Sequence, residues 1–181
     1  MRIIETKLYG VKILEPKVFE DSRGFFMESY NRESLEKADI LYQFVQDNQS
    51  LSKEVGVLRG LHYQLNPKAQ TKLVRTLTGA IYDVVVDIRK DSPTFGQWIG
   101  VILSEWNKRQ LLVPKGFAHG FCTIMPNTQV FYKVDEYYSP EHDRGIAWDD
   151  PDLGIDWPST SPILSDKDQK HPRLKDAEIN F

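Results

Sequence analysis

The sequence predicts an all-β fold, a sandwich or barrel of short strands. Its apolar residues come in short runs broken by Gly, Pro, Asn and Asp, without long amphipathic stripes, and aromatic residues are frequent. Turn signals separate the runs at regular intervals, the pattern of sandwiches and barrels. A chain of 181 residues is sized for one domain that buries about two-thirds of its unfolded surface.

In chain order, a short helix is expected around Glu33 to Asp39. Strands are expected over Lys72–Thr78, Ala80–Arg89, Trp98–Leu103, Gln110–Val113 and Thr128–Val134. Thr78-Gly79, Asp91-Ser92-Pro93, Pro114-Lys115-Gly116 and Pro126-Asn127 supply the turns between them. A second helical stretch begins at Ser165, where Ser165-Asp166-Lys167-Asp168 matches the first half of a capping box. No repeat, low-complexity tract or linker divides the chain, so residues 1–181 are read as one domain, with a segment from about residue 150 packing over the barrel. Short strands with edges to protect are compatible with a homodimer.

The net charge of −3 is spread without any block of one sign, which argues against nucleic acid as a partner but leaves room for local cations around one anionic ligand. Cys122 is the single cysteine and has no internal partner. The opening Met1-Arg2-Ile3-Ile4-Glu5-Thr6-Lys7 lacks a signal-peptide core, and no apolar run is long enough to span a bilayer. A soluble cytoplasmic protein is the expectation.

Four histidines are present, and His62 and His119 are the two flanked by β-type sequence. A metal-gripping barrel commonly supplies two histidines at i, i+2 and a carboxylate, whereas His62 is followed by Tyr63-Gln64 and His119 by Gly120-Phe121; no metal site is expected. Standing alone, His62 reads as a core histidine with satisfied nitrogens. Arg59 stands three residues earlier, and strict alternation sends the two side chains to opposite faces unless Gly60 hosts a bulge. Both facing inward would call for a wet or ligand-filled interior. Lys72 is either an edge-strand lysine or an interior cation. Alternation from Thr128 to Tyr138 puts Tyr132 and Tyr138 on one face. Asp83, in an apolar strand, either orients a base or lysine or sits at a solvated face, and Asp168 either caps a helix or reaches His62 to fix its tautomer.

Asp21–Glu28, Val45–Ser50, Gly56–Gln64 (Gly-Val-Leu-Arg-Gly-Leu-His-Tyr-Gln), Gln70–Arg75, Pro114–Phe121 and Leu164–Asp168 resemble, in order and spacing, the signature blocks of the dTDP-4-dehydrorhamnose 3,5-epimerase family. The resemblance implies a cupin-type jelly roll that has lost its metal, needs no cofactor and works as a homodimer on a dTDP-4-keto-6-deoxyhexose. It implies His62 as base, Asp168 as its partner, Tyr132 as acid and Lys72 beside the sugar carbonyl. By the same resemblance Arg23, Glu28, Gln46, Asn48, Arg59, His119, Tyr138, Glu141 and Lys167 hold nucleotide or sugar, some of them from the partner subunit. A relative that inverts C3 or C5 alone, or a non-catalytic sugar-binding jelly roll, would be the competing expectations.

Overall fold

The computed structural model describes residues 1–181. The first half of the chain contains β1 (Arg2–Glu5), β2 (Lys12–Glu15), β3 (Val18–Asp21), β4 (Gly24–Met27), α1 (Arg32–Glu36), β5 (Gln46–Ser52), β6 (Leu58–Gln64) and β7 (Lys72–Thr78). There follow β8 (Ala80–Asp87), β9 (Trp98–Ser104), β10 (Gln110–Val113), β11 (Phe117–Thr123), β12 (Thr128–Val134) and β13 (Asp143–Gly145). The strands form a six-stranded sheet in the order β1-β2-β10-β7-β12-β5, a five-stranded sheet in the order β13-β6-β11-β8-β9, and a separate β3-β4 hairpin. Within the two large sheets every neighbour is antiparallel, and non-sequential strands lie side by side. This is a cupin-type jelly roll.

Alternation along the strands explains the layers. Val74, Leu111 and Val130 from the six-stranded sheet meet Ile81, Val85 and Phe121 from the five-stranded sheet in a shared buried cluster. The opposite face of the five-stranded sheet presents Leu61, Tyr63, Val84 and Val86, and the C-terminal segment covers it with Leu153, Trp157 and Ile179. Hydrogen bonds to its backbone hold that segment down: Tyr63 donates its hydroxyl to the Glu178 carbonyl at 2.7 Å, and Ala147 N–H donates to the Pro172 carbonyl at 2.8 Å. Outside the six-stranded sheet, Leu35 of α1 and Ile40 cover Leu14, Leu73 and Leu112.

Local chemistry moves several expected boundaries. The strand expected over Ala80–Arg89 stops at Asp87, because the Asp87 carboxylate accepts the Arg89 backbone N–H and the Ser92 and Thr94 hydroxyls and folds the chain into a turn. The first helix is one short piece, capped by Asn31 Oδ1 on Ser34 N–H, and Asp39 lies beyond it at φ 58°. From Ser165 onward there is no α-helix. Two short 3-10 helices, Asp168–Lys170 and Leu174–Asp176, are separated by Pro172, which cannot donate to a helical bond. No helix is long and apolar enough to cross a membrane.

Candidate active site

The site begins with the exception to alternation on β6. In the ladder with β11, His62 pairs with His119 and Arg59 with Phe121, so Gly60 and Leu61 together oppose Gly120. That extra residue is a bulge, the alternative to strict alternation that the sequence left open, and with it both Arg59 and His62 line the cavity. Gly60 makes it possible: its φ is 140°, and a Cβ there would lie 2.5 Å from the Gly120 Cα.

Both sheets line a cavity of about 250 Å³. Asn48 and Ser50 of β5, Lys72 of β7 and Tyr132 of β12 enter from the six-stranded sheet. Arg59 and His62 of β6 with His119 and Phe121 of β11 enter from the five-stranded sheet, and Ser165, Lys167 and Asp168 close the cavity from the C-terminal segment. Lys72 is no edge-strand guard, since β7 lies between β10 and β12. Its inward direction is that of Val74 and Thr76, fixed by the period of two.

Each inward histidine is tied to a carboxylate through Nε2. His62 Nε2 stands 2.5 Å from Asp168 Oδ1, and His119 Nε2 stands 2.8 Å from Asp83 Oδ1. Asp83 is therefore no solvated carboxylate: it is completely buried on the inner face of β8, and its second oxygen has no partner. Of the two readings of Asp168, the structure places its side chain on His62; its backbone N–H donates to Ser165 Oγ at 3.1 Å across the turn that leads into the 3-10 helix, whose own N-cap, Lys167, makes no side-chain cap bond. His62 Nδ1, His119 Nδ1, Lys72 Nζ and Tyr132 Oη make no hydrogen bond or ion pair within the chain and are not sealed from the cavity. Four unspent polar ends thus face one space.

Electrostatics tune them in different directions. Burial pushes Lys72 down to about 8, against the opposing pull of Asp143 and Asp83. Burial also lowers His62, more than the Asp168 hydrogen bond and charge raise it, so the ring is a neutral base near pH 7. Tyr132 is raised by burial, with Arg59 opposing and Asp143 reinforcing, which keeps its hydroxyl protonated. Burial works against ionising Asp168, but the His171 and His62 rings and the Ser165 hydroxyl around it outweigh burial and hold the carboxyl well below the usual range.

The atoms His62 Nε2, Asp168 Oδ1 and His171 Nε2 lie within 4.8 Å of one another. Ligands each about 2.1 Å from a zinc ion would stand roughly 3 Å or more apart. The 2.5 Å contact closes His62 on Asp168 instead, so the cluster is hydrogen-bonded to itself.

The structure brings His62, Lys72, Tyr132, Asp168, Asn48, Arg59, His119 and Lys167 together at the cavity. Others lie outside it. Tyr138 lies past the end of β12 at Val134 and is exposed, donating its hydroxyl at 3.0 Å to Asp143 Oδ2, the oxygen that also pairs with Lys167. Gln46 bridges the rim, donating to Asn48 Oδ1 and accepting the Tyr138 N–H. Glu141 is exposed beside Arg144, Arg23 is paired with Asp21 on the β3-β4 hairpin, and Glu28 is bonded to Asn31. Sequence reasoning missed Gln49, Ser50, Phe121 and Ser165 as lining residues. The period of two from Asn48 to Ser50 and from His119 to Phe121 would have found two of them. Asp143, which pairs with Lys167, gave no local signal, since the contact joins β13 to the distant C-terminal segment.

Comparison with known proteins places the chain among epimerases of 4-keto nucleotide sugars; the similar structures include ChmJ, a 3'-monoepimerase from Streptomyces bikiniensis, 33% identical with a TM-score of 0.88 and covering 94% of this chain and 86% of that one. Residues 5–176 match the family described as dTDP-4-dehydrorhamnose 3,5-epimerase. The dTDP-4-dehydrorhamnose 3,5-epimerase of Shigella flexneri is 54% identical over 179 residues, covering 98% of each chain. The crystal structure of the Bacillus anthracis epimerase with TDP and PPi bound is 63% identical with a TM-score of 0.94, covering 95% of this chain and 98% of that one. The Legionella pneumophila enzyme in complex with dTDP-4-keto-L-rhamnose is 50% identical with a TM-score of 0.92, covering 96% and 93%.

Proposed function

The chain belongs to the dTDP-4-dehydrorhamnose 3,5-epimerase family, and from that premise we propose how its own residues carry out the isomerisation. The reaction inverts C3 and C5 of dTDP-4-dehydro-6-deoxy-D-glucose to give dTDP-4-dehydro-L-rhamnose, the epimerisation of dTDP-L-rhamnose biosynthesis. Both carbons are alpha to the C4 carbonyl, so one base beside C4 serves both in turn. His62 Nδ1, free and facing the cavity, takes the proton, while Nε2 keeps its bond to Asp168, which stabilises the imidazolium that forms. Negative charge grows on the C4 oxygen, and the Lys72 ammonium meets it in a space poor in water.

Inversion requires the proton to return on the other face of the ring. Tyr132 stands on the sheet opposite His62 and keeps its proton, so it donates to the enolate carbon. His62 then releases its proton to solvent and Tyr132 regains one. The observation that carries this reading is the placement of a base with a free Nδ1 and an acid with a free hydroxyl on facing sheets, with the unpaired ammonium of Lys72 in the same cavity. Arg59 and Lys167 suit the diphosphate, and His119 Nδ1 suits a sugar hydroxyl.

Residues 1–181 act in this reading as one domain whose segment from about 150 delivers Asp168. A homodimer supplies the residues the cavity lacks. The β3-β4 hairpin carries Arg23 together with Phe19, Phe25 and Phe26, which are 53%, 53% and 72% exposed, an apolar arm suited to reach into a second copy. Sedimentation at the mass of two chains is the expected result. The buried thiol of Cys122 and the lack of a membrane-crossing helix agree with a cytoplasmic enzyme.

The test is NMR of the dTDP sugar in deuterated buffer. His62→Ala is expected to abolish deuterium entry at C3 and C5, and full exchange in that variant removes His62 as the base. Tyr132→Phe is expected to keep exchange and lose inversion.

A further inference from the structure

His171 is the one buried histidine next to the base that the mechanism leaves unused. It follows the 3-10 helix that carries Asp168, and its side chain is 9% exposed. Its Nε2 lies 3.3 Å from Asp168 Oδ1, the same oxygen that His62 Nε2 holds at 2.5 Å. The His171 contact is too poorly aligned to count as a full hydrogen bond, and Nε2 is buried without any other partner. The two rings meet edge to face with centroids 5.5 Å apart and planes at 77°. Behind His171 lies Gly145 of β13, the ladder partner of His62, and a Cβ on Gly145 would overlap the His171 ring. The chain on the other side is pinned by the Ala147 N–H to the Pro172 carbonyl. The ring is thus wedged into a slot that only a glycine leaves open.

We propose that His171 is a positioning residue for the base pair: it holds the Asp168 carboxylate in place and takes a share of the oxygen that His62 uses. The assignment rests on the reading of His62 as the base. Asp168 Oδ1 has two lone pairs and faces two ring N–H groups, so neither histidine can draw the whole carboxylate charge. Without His171, the carboxylate gains freedom to turn and binds the His62 imidazolium more strongly. The groups facing His62 are Asp168 and His171 from the C-terminal segment, Lys72 from β7 and His119 from β11. Of these, Lys72 and His171 both lower the His62 pKa through space while Asp168 raises it.

The experiment compares the unaltered enzyme with His171→Phe, His171→Gln and Gly145→Ala, measuring deuterium entry at C3 and C5, kcat and KM against pH. His171→Phe keeps the shape and removes the donor. It is expected to lower kcat about tenfold with KM within about twofold, and to move the acid limb of kcat/KM to higher pH by roughly half a unit. His171→Gln restores a donor and recovers most of the rate. Gly145→Ala leaves the imidazole intact but displaces it, and moves kcat and the limb in the same direction as His171→Phe.

A pH profile and kcat of His171→Phe that superimpose on the unaltered enzyme overturn the proposal. So does a fall in rate shared with a raised KM and an unmoved limb, which marks a purely structural role. His62→Ala run alongside separates the two levels: if it still exchanges, the base assignment itself is wrong, whereas an inert His62→Ala beside a normal His171→Phe removes His171 alone.

Discussion

His62 and His119 are ladder partners on neighbouring strands, face the same cavity and both present Nε2 to a carboxylate, yet their carboxylates arrive by different routes. Asp83 comes from β8, the next strand in the same sheet, so the backbone ladder sets its distance to His119. Asp168 comes from a segment 106 residues away, through a turn closed by Ser165 Oγ, and it has two histidines on one oxygen. The first pair is scaffold. In the proposed mechanism the second is the pair whose charge changes in every cycle, and its geometry depends on how well a segment docks.

Removing the charge from the docked carboxylate is the strongest test of that contrast. Asp168→Asn is expected to lower kcat by about a thousandfold, because the amide no longer fixes the His62 tautomer or stabilises its imidazolium. Turnover of the dTDP sugar by NMR reads it. A loss under tenfold would reduce Asp168 to a helix cap and erase the difference between the pairs.

Lys72 belongs to neither pair but answers to the scaffold one. Lys72→Met is expected to cost about a hundredfold or more in kcat through the lost charge at C4 oxygen. Stability should move the other way. Burial depresses the folded-state pKa to about 8 from 10.5, so below pH 8 the folded chain bears the cost of a desolvated ammonium, and stability rises between pH 8 and 10.5 as the folded state sheds its proton first. Met removes that cost, and a higher Tm at pH 7 in a thermal melt is the expected outcome. In the unaltered enzyme, activity is expected to fall above about pH 8 as Lys72 becomes neutral, read from a kcat–pH profile.

Asp83→Asn probes the scaffold pair and should have a smaller effect, about tenfold in kcat, since an amide oxygen can still accept from His119. Its signature is in the pH profile. Asp83 helps to keep Lys72 charged, so its loss moves the alkaline limb to lower pH. An unmoved limb would show that Asp83 serves His119 alone.

How much of this was legible in the sequence follows from the same contrast. Much of what depends on neighbours along a strand could be read, such as the all-β class and the strands from Lys72 to Val134, whereas the bulge at Gly60 stayed open against strict alternation until the ladder with β11 decided it. Periodicity carries no warrant past the strand end at Val134, so alternation could not by itself place Tyr138 relative to Tyr132. What depends on chain segments meeting from afar could not be derived from local pattern. Asp143 with Lys167, and His171 on Asp168, are such meetings. The family resemblance supplied Asp168 for His62, which residue physics alone left balanced against a helix cap.

That balance points to the mildest perturbation. Ser165→Ala removes the acceptor of the Asp168 N–H, a cap worth about 1 kcal/mol, without touching the carboxylate. If docking of the turn sets the geometry of the base, kcat should fall roughly threefold while amide exchange at Asp168 quickens, because a cap loss of that size raises the undocked population several-fold. The comparable change on the scaffold side has no counterpart, since Asp83 is held by a full ladder on both edges of β8. Faster exchange with unchanged kcat would mean that His62 and His171 hold the carboxylate without help from the cap, and the two pairs would then be equally rigid.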